Sequence, residues 1–438
     1  MTKSPLYAPS DDTLSPLTRG LLWKCLCARW IGSGCPLGPF SLVGAGVFSG
    51  PRYDGDMYPG KEGLSPKGTV PLYPSVLSYI PAGMYNEPHK MKSPQDNKDI
   101  RDLSLDELRA ELEAMGEKPF RAAQIFDWLY HKGASDFAEF TSLSKDLREK
   151  LASRFRIGAL ELADRRDSGD GTVKLLFRLN DGAFIETVLI RAGRRLTVCL
   201  STQVGCKFAC AFCASGLHGF MRDLASSEIT GQVLYLQHSL GLELTNFVFM
   251  GMGEPLDNWA NLEKALRIMN APEGLGIAAR RMTVSTAGYF PAFKRLEALD
   301  LQVNLSLSLH AVTDRLRDKL MPINRRFPLE DVVRAAEEYI RSGGRMITLE
   351  YIVMRGLNDS LDDADGLAAI ARRLRAKVNL IAYSPVEGLA FETPTEADVA
   401  RFKRWLEERK VNTILRLSKG TDIAAACGQL AGRIKRSE

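Results

Sequence analysis

Three cysteines stand close together in the segment VGCKFACAFC, at Cys206, Cys210 and Cys213. Three thiolates on one short loop can bind three irons of a cubane iron–sulfur cluster and leave the fourth iron open to a ligand. The alternative is a zinc loop completed by His218, but zinc sites usually pair two C-x2-C units at a distance. The spacing therefore predicts an iron–sulfur cluster that takes part in chemistry.

The cysteine loop follows the first of six candidate strands that alternate with helical patterns from Arg195 onward. The strand segments are RLTVCLST, LTNFVFMG, RRMTVSTAG, QVNLSLSLH, MITLEYIVM and KVNLIAYSP. Six β/α units predict an α/β fold with a parallel sheet and helices outside it. They are too few to close an eight-fold barrel, so we expect a partial (β/α)6 barrel. Chemistry in such folds lies at the carboxyl ends of the strands.

Glycine and polar residues stand at the ends of three further strand segments, in FMGMGEPLDN, VSTAG and SLSLHA. Glycine lets the backbone approach a ligand closely, and a carboxylate accepts hydrogen bonds from an ammonium group. An ordinary β/α turn and structural serine or histidine residues are the alternatives, but all these residues fall on one predicted face. The candidates are Gly253, Glu254, Ser285, Ser308, Leu309 and His310.

The rest of the chain divides into three parts by its patterns. Residues 1–98 are rich in proline and glycine and lack a periodic apolar pattern, which indicates a poorly ordered extension or a start codon assigned upstream of Met91. Residues 99–160 predict a small helical domain with many lysines and arginines, a candidate RNA-binding surface. Residues 161–194 predict a connecting β-hairpin around an Asn-Asp-Gly turn, and residues 195–438 form the expected barrel.

The composition of the 438 residues excludes several classes of protein. Hydrophobic residues make up 45% and charged residues 25%, as in ordinary globular proteins, and the net charge of +5 does not by itself indicate a nucleic-acid partner. Eight cysteines in so long a chain do not suggest a disulfide scaffold. Because no run of 18 apolar residues and no signal-peptide pattern occurs, we expect a cytoplasmic protein without a membrane span.

The cysteine motif, C-x3-C-x-aromatic-C with Phe212 before the last cysteine, resembles the defining motif of the radical S-adenosylmethionine (SAM) superfamily. The resemblance implies a 4Fe-4S cluster whose open iron binds the amino and carboxylate groups of SAM. Reductive cleavage would then give methionine and a 5′-deoxyadenosyl radical. The loop with Gly253 and Glu254 resembles the superfamily's SAM-amine loop. The same comparison assigns contacts with the SAM ribose and carboxylate to Ser285, Ser308, Leu309 and His310.

The segments KPFRAAQIFDWLY and DIAAACGQL extend the resemblance to one branch, the radical SAM adenine-C-methyltransferase (RlmN/Cfr) family, over residues 99–432. The resemblance implies that Cys427 carries a methyl group and that Cys199 later forms a disulfide with it. It also implies that Glu186 accepts a proton. From the residues alone, both cysteines could be buried hydrophobic residues, and Glu186 could pair with Arg191 or Arg195.

One position departs from the family pattern. Members commonly carry asparagine in an Asn-Pro pair after the sixth strand, where it contacts SAM, but this chain reads AYSPVEG with Ser384. A hydroxyl offers fewer hydrogen bonds than an amide. The resemblance therefore implies a weaker SAM contact at Ser384.

The family implies methylation of carbon 2 of an adenine in 23S rRNA and in tRNA, with two SAM molecules consumed. Pro255 in GMGEPL resembles this carbon-2 branch. The alternatives are a Cfr-type enzyme that methylates carbon 8 and, from another class, a non-catalytic iron–sulfur protein that binds RNA. The expected partners are RNA and an electron donor such as flavodoxin, and we expect a monomer. Basic pairs such as Arg325 and Arg326 are candidate phosphate contacts.

Overall fold

A sheet of ten strands forms the centre of the structure, a computed structural model that describes residues 97–432. Two further sheets have two strands each. In chain order the strands are β1 (Lys98–Asp99), β2 (Phe155–Arg156), β3 (Glu161–Asp167), β4 (Val173–Arg178), β5 (Phe184–Ala192), β6 (Arg195–Cys199), β7 (Gln203–Gly205), β8 (Phe220–Asp223), β9 (Asn246–Phe249), β10 (Met282–Thr286), β11 (Asn304–Ser308), β12 (Ile347–Val353), β13 (Lys377–Ala382) and β14 (Thr413–Arg416).

The helices lie between these strands. They are α1 (Leu105–Ala114), α2 (Arg121–Phe126), α3 (Lys145–Arg154), α4 (Ala214–Leu217), α5 (Ser226–Leu234), α6 (Trp259–Asn270), α7 (Phe293–Glu297), α8 (Asp314–Leu320), α9 (Leu329–Arg341), α10 (Leu361–Arg373) and α11 (Glu396–Glu408). Helices α2 and α5 each continue into a π-helical turn, Asp127–His131 and Tyr235–Ser239.

The predicted partial barrel is confirmed. The six expected strands are β6 and β9 to β13, they pair in parallel in chain order, and β14 adds a seventh parallel strand. Strand β12, with the sequence ITLEYIV, is buried along its whole length, including Thr348 and Glu350. The parallel pairing brings the carboxyl ends of all these strands to one edge of the sheet.

The segment expected to form a connecting hairpin is part of the main sheet. Strands β4 and β5 pair as an antiparallel hairpin, β5 pairs with β6, and β3 adds an outer antiparallel strand. Strand β3 reads ELADRRD and alternates between exposed and half-buried residues. Because it has no buried apolar face, hydrophobic periodicity does not reveal it.

The small helical domain begins with a capping box at Ser104. Its hydroxyl accepts the N–H of Glu107 (3.2 Å), whose carboxylate accepts the N–H of Ser104 (2.7 Å). The domain has its own core of leucine, isoleucine and phenylalanine side chains, and Leu234 of α5 and Ile268 of α6 belong to the same cluster. The domain therefore packs directly on the barrel helices.

Polar contacts fix this packing. Asp102 Oδ1 accepts the N–H of Ser227 (2.8 Å) and the hydroxyl of Ser226 (3.2 Å), so the helical domain supplies the N-terminal cap of α5. Lys264 of α6 donates to the carbonyl of Asp102 (2.9 Å) and pairs with Glu107 (2.8 Å). The two parts of the molecule are thus joined by directional bonds as well as by apolar packing.

The extension predicted for residues 1–98 lies outside the described residues up to residue 96. Residues 433–438 lie outside them as well. Within residues 97–432, no helix is long and apolar enough to cross a membrane.

Replacing Asp102 by alanine removes the cap that the helical domain gives to α5. We expect Asp102→Ala to lower the free energy of unfolding by about 1 kcal/mol, the usual value of an N-cap. Urea denaturation followed by circular dichroism measures this change. The control is Asp106→Ala, because Asp106 is an exposed partner of Arg109 and should have an effect below about 0.5 kcal/mol. Equal effects of the two substitutions would contradict the assignment of Asp102 as a cap.

Candidate active site

The cysteine loop lies between the two strands of the β7–β8 hairpin. The N–H of Cys206 donates to the carbonyl of Gly219 (3.0 Å), and the N–H of Cys213 donates to the carbonyl of Cys210 (3.1 Å). Gly205 has a φ of +75°, and a Cβ there would lie 1.9 Å from the Gly219 carbonyl oxygen. The close approach of the hairpin backbone therefore requires glycine at the entrance to the loop.

One cavity brings together most of the residues predicted from the sequence. It opens at the carboxyl ends of the parallel strands and reaches the barrel interior at Glu350 and Arg416. The predicted residues on its wall are Cys206, Cys210, Cys213, Gly253, Glu254, Ser285, Ser308, His310 and Cys427.

The three thiols of the loop have the environment that a cluster needs. Burial, with a smaller effect of neighbouring thiols of the triad, raises the pKa of Cys206 to about 12 and that of Cys210 well above its usual value. Free thiolates are unfavourable in such a place, whereas iron ligation provides the compensating positive charge.

The three thiols of the triad line one cavity, as the ligands of a single cluster would. A cubane spreads its ligands, because each cysteine binds a different iron. His218, the ligand considered for a zinc loop, lines a different cavity beside Leu217.

Gly253 and Glu254 connect the loops that follow β9 and β10. Gly253 has a φ of +100°, and a Cβ there would lie 2.5 Å from the Cβ of Gln203. Glu254 is buried, and its Oε2 accepts the N–H of Ala287 (2.8 Å) while its own N–H donates to Gln203 Oε1 (2.8 Å). Burial raises the pKa of Glu254 to about 7. The carboxylate is therefore held in one orientation beside the cysteine loop.

His310 is held as a neutral ring. Its backbone has a φ of +56°, and its Nδ1 accepts the N–H of Ile352 (3.1 Å), which leaves the proton on Nε2. Burial lowers the pKa of His310 to about 3, and the ring packs edge-on against Phe212 at 5.0 Å. Ser285 Oγ and Ser308 Oγ lie 3.5 Å apart on the same wall.

Two of the predicted SAM contacts are not on this wall. The Leu309 side chain is in the core, and only its backbone bonds to neighbours: its N–H donates to the carbonyl of Glu350 (3.0 Å). Ser384 is buried and lines neither this cavity nor the second one described below. Leu309 thus supports the site through its backbone, and Ser384 does not line the cavity of the cysteine triad.

Arg317 was not predicted from the sequence, yet it ties the site together. This fully buried side chain donates to the carbonyls of Ala287 (2.7 Å) and Leu309 (3.3 Å) and to Asn324 Oδ1 (2.8 Å). It thereby links the loops that follow β10 and β11. The helix sequence DRLRDKL reads as a solvated helix, so no local signal distinguishes Arg317 from its charged neighbours.

A second cavity connects Cys199 with Cys427. Both line it together with Cys213 and Arg416, so Cys427 and Cys213 belong to the walls of both cavities. Burial, with a smaller effect of the nearby Cys427 thiol, raises the pKa of Cys199 to about 12. The five cysteines of the described range are all free, so no Cys199–Cys427 disulfide is present, and Cys427 is the exposed one among them.

Arg416, also missed from the sequence, places a positive charge beside these two thiols. Its Nη1 lies 3.4 Å from Glu350 Oε2, and Glu350 Oε1 accepts the amide of Asn379 (2.9 Å). Burial raises the pKa of Cys199, and the Arg416 guanidinium offsets part of this rise. The sequence does not show whether a charged residue at the end of an edge strand, such as Arg416, faces solvent or the barrel interior.

Glu186 lies under the C-terminal segment and not in the cavity of the cysteine triad. Its Oε1 pairs with Lys174 Nζ (3.0 Å), and its Oε2 accepts the N–H groups of Ala431 (2.6 Å) and Gly432 (3.0 Å). Neither arginine considered as a partner in the sequence pairs with it; Lys174 takes that place instead.

A thiol triad after the first strand of a partial parallel barrel, with a glycine–glutamate loop at the next strand end, defines a radical SAM enzyme. Two family models match the chain: the ribosomal RNA large subunit methyltransferase N-terminal domain over residues 98–157, and the radical SAM superfamily over residues 200–367. Enzymes of this class use a 4Fe-4S cluster and SAM, and this chain does as well.

Similar proteins narrow the class. The chain is 46% identical to the dual-specificity RNA methyltransferase RlmN of Geobacter sulfurreducens, over 77% of this chain and 92% of that protein. It is 44% identical to a probable RlmN of Geobacillus kaustophilus, over 77% and 94%. The crystal structure of a radical SAM methyltransferase from Sphaerobacter thermophilus matches with a TM-score of 0.73 and 41% identity, over 77% and 100%. The chain belongs to the RlmN family of radical SAM RNA methyltransferases.

A methyl group at position 253 should disturb the loop beside the cysteine triad. We expect Gly253→Ala to weaken SAM binding by at least about tenfold, because a positive φ and a 2.5 Å approach to Gln203 together force the loop to shift. Equilibrium dialysis of SAM against the reconstituted holoenzyme measures the affinity. The control is Gly276→Ala, where φ is +60° but no atom lies within 4 Å of the added Cβ. Equal losses in both variants would argue against a role of the loop in SAM binding.

Proposed function

We propose that this enzyme methylates carbon 2 of an adenine in 23S rRNA and in tRNA, and that Cys427 carries the methyl group. The single observation behind this proposal is the position of Cys427, which lines both the cavity of the cysteine triad and the cavity of Cys199. A group bound to its sulfur can reach SAM on one side and a second thiol on the other.

The chemistry of adenine explains why a carrier is needed. Carbon 2 lies between two ring nitrogens and is electron-poor, so it cannot attack the SAM methyl group directly. A thiolate is a good nucleophile. In the first step the Cys427 thiol loses its proton to solvent, and its Sγ attacks the methyl carbon of one SAM and displaces S-adenosylhomocysteine.

A second SAM provides the reactive species. Cys206, Cys210 and Cys213 would hold the 4Fe-4S cluster, which would supply the electron for cleavage of SAM to methionine and a 5′-deoxyadenosyl radical. The radical takes a hydrogen atom from the S-methyl group of Cys427. This gives 5′-deoxyadenosine and a carbon-centred radical on the methylene group that is bonded to the Cys427 sulfur. This carbon radical adds to carbon 2 of the adenine.

Release of the product requires a second thiol, and Cys199 is the candidate. Attack of Cys199 Sγ on Cys427 Sγ forms a disulfide and breaks the bond between sulfur and the methylene carbon. The Cys199 thiol and carbon 2 each lose a proton, the methylene carbon gains one, and one electron returns to the electron-transfer partner. A dithiol reductant then restores both cysteines. Glu186 is the family's candidate for accepting the carbon-2 proton; both of its oxygens are engaged in the structure, so this role requires the C-terminal segment to move.

The SAM contacts follow from the wall of the first cavity. Glu254 accepts from the SAM ammonium group, and Ser285, Ser308 and His310 lie where ribose and carboxylate oxygens would bond. Leu309 contributes through its backbone. Ser384 makes at most a weak contact, because it does not line this cavity.

The target base enters through the second cavity in this proposal. That cavity lies between β14 on one side and β5 and β6 on the other, where Ile190, Arg195 and Leu417 line it. A base inside RNA has to be unstacked to reach Cys427, and apolar side chains at the entrance can replace its stacking. We further propose that the enzyme acts as a cytoplasmic monomer and receives electrons from a flavodoxin-like protein.

Methyl transfer through Cys427 predicts a specific defect. Cys427→Ala should abolish 2-methyladenosine formation in RNA but still produce 5′-deoxyadenosine from SAM and dithionite, because the cluster site remains intact. Mass spectrometry of nucleosides after anaerobic reconstitution and incubation with RNA measures both products. The parent enzyme should form 2-methyladenosine; 8-methyladenosine would instead indicate a Cfr-type enzyme, and absence of 5′-deoxyadenosine would indicate a non-catalytic iron–sulfur protein.

The role of Cys199 predicts a trapped intermediate. Without a second thiol the bond between the methylene carbon and Cys427 cannot break, so Cys199→Ala should accumulate a covalent protein–RNA adduct. Denaturing gel electrophoresis with labelled RNA detects the adduct, and Cys199→Ala combined with Cys427→Ala serves as the control that cannot form it. Recovery of only unattached, methylated RNA from the single variant would remove Cys199 from the mechanism.

A further inference from the structure

A buried ion pair lies beneath the segment that carries Cys427. Lys174 of β4 and Glu186 of β5 are on the same face of the antiparallel hairpin, with Lys174 opposite Val188 and Glu186 opposite Leu176. Their side chains are only 9% and 5% exposed, and the two charged groups are 3.0 Å apart. The pair is thus almost completely buried, although the pairing of β4 with β5 does not require charged side chains.

Both members of the pair bond to the backbone of the C-terminal segment. Lys174 Nζ donates to the carbonyl of Ala424 (3.0 Å), three residues before Cys427. Glu186 Oε2 accepts the N–H groups of Ala431 (2.6 Å) and Gly432 (3.0 Å), four and five residues after it. One ion pair therefore holds both ends of the loop Ala424–Gly432, which we call the carrier loop.

The backbone is left-handed at both ends of the loop, and only at Ala424 is this conformation strained. Ala424 has a φ of +52°, a left-handed conformation that residues with a Cβ adopt rarely, and Gly432 has a φ of +63°. Hydrogen bonds from outside supply the restraint that such a conformation requires. Charge-assisted bonds from a buried lysine and carboxylate are the strongest available for this purpose.

Other contacts of the loop involve its middle. The N–H of Ala214 donates to the carbonyl of Gly428 (2.7 Å), and the hydroxyl of Ser215 donates to the carbonyl of Leu430 (2.7 Å). These bonds join the loop to the residues directly after Cys213. The middle of the loop thus contacts the cysteine motif, and the ion pair holds the ends.

Four other charged or titratable residues line the same cavity: Asp164, Arg166, His218 and Glu387. Asp164 and Arg166 pair with each other at 2.9 Å. Lys174 and Glu186 are each other's ion-pair partners, and loss of one partner of a buried pair is costly.

We propose that Lys174 and Glu186 form a latch that holds the carrier loop in the position where Cys427 faces the cavity of the cysteine triad. Within the latch both are positioning residues that act on the reaction through Cys427, and the proton-acceptor role proposed for Glu186 belongs to the released state. The role of the latch in the reaction rests on the proposed function of Cys427 as methyl carrier. The latch itself is inferred from the ion pair and its hydrogen bonds, which do not depend on that function. Release of the latch frees both ends of the loop at once, and it exposes the Glu186 carboxylate.

Hydrogen exchange of the reconstituted holoenzyme tests the latch directly. In Lys174→Met, the N–H groups of Ala431 and Gly432 should exchange at least about tenfold faster than in the parent, because their acceptor has lost its charge partner. Lys174→Arg should keep the parent's slow exchange, since a guanidinium can pair with Glu186 and donate to the Ala424 carbonyl. Mass spectrometry of peptides that cover residues 421–432 provides the rates.

A double variant separates the latch from damage caused by an uncompensated buried charge. Replacing the pair by apolar residues, in Lys174→Met with Glu186→Leu, removes that cost and is usually tolerated, yet it also removes the acceptor of both N–H groups. Fast exchange of the carrier loop in this folded variant supports the latch. Slow exchange, as in the parent, overturns it.

The matched control is Lys264→Met. Lys264 also donates to a backbone carbonyl, that of Asp102, and pairs with a carboxylate, that of Glu107, but at the junction with the helical domain. Its loss should leave exchange of the carrier loop unchanged. If it accelerates that exchange as much as Lys174→Met does, the effect is general destabilisation and the latch is rejected.

A second measurement connects the latch with the reaction. The rate at which Cys427 acquires a methyl group from SAM, followed by peptide mass, should fall at least about tenfold in Lys174→Met and recover in Lys174→Arg, while the affinity for SAM stays unchanged. An unchanged methylation rate in Lys174→Met would show that the pair does not position Cys427. If no variant and not even the parent is methylated at Cys427, the proposed function fails, whereas the exchange pattern still decides whether the latch exists.

Discussion

The site depends on one constraint, the parallel pairing of β6 with β9 and of β9 to β13 in sequence. Parallel strands end at the same edge, so loops that are far apart in the chain meet there. The cysteine loop follows β6, Glu254 follows β9, and His310 follows β11. All three reach one cavity because the sheet curves into a partial barrel. A register shift of one residue in any of these strands would turn its side chains to the opposite face.

Buried polar side chains then hold the loops that meet at this edge in one fixed arrangement. Arg317 joins the loops after β10 and β11 through backbone carbonyls, and Glu254 joins those after β9 and β10. Such groups are costly to bury and are stable only when their hydrogen bonds are made. Each of them therefore restricts the site to one arrangement. Arg416 does the same in the barrel interior, where Glu350 and its amide partner hold it between two cysteines.

The C-terminal segment differs from the rest of the site in how it is held. The strand-end residues are attached to a sheet, whereas Cys427 lies on a loop that is fixed only by its contacts with other elements. A carrier of a methyl group has to meet two different partners in one cycle, so a loop suits it better than a strand. In our proposal the Lys174–Glu186 pair, which belongs to the antiparallel part of the sheet, holds that loop. Strands β4 and β5 would therefore position Cys427 in addition to extending the sheet.

The iron–sulfur chemistry and the class of fold could both be predicted from the amino-acid sequence. The spacing of Cys206, Cys210 and Cys213 specifies a cluster with an open iron, because that spacing is a local property of one loop, and six alternating strand and helix patterns specify a parallel sheet. Strand β3 escaped detection because its charged residues have no buried face. Contacts between residues distant in the chain became visible only in the folded structure. They include the buried bonds of Arg317, the position of Arg416 beside two thiols, and the bonds of Glu186 to Lys174 and to the backbone of Ala431 and Gly432. A charged residue looks the same in sequence whether it is solvated or buried, and its partner appears only when the chain has folded.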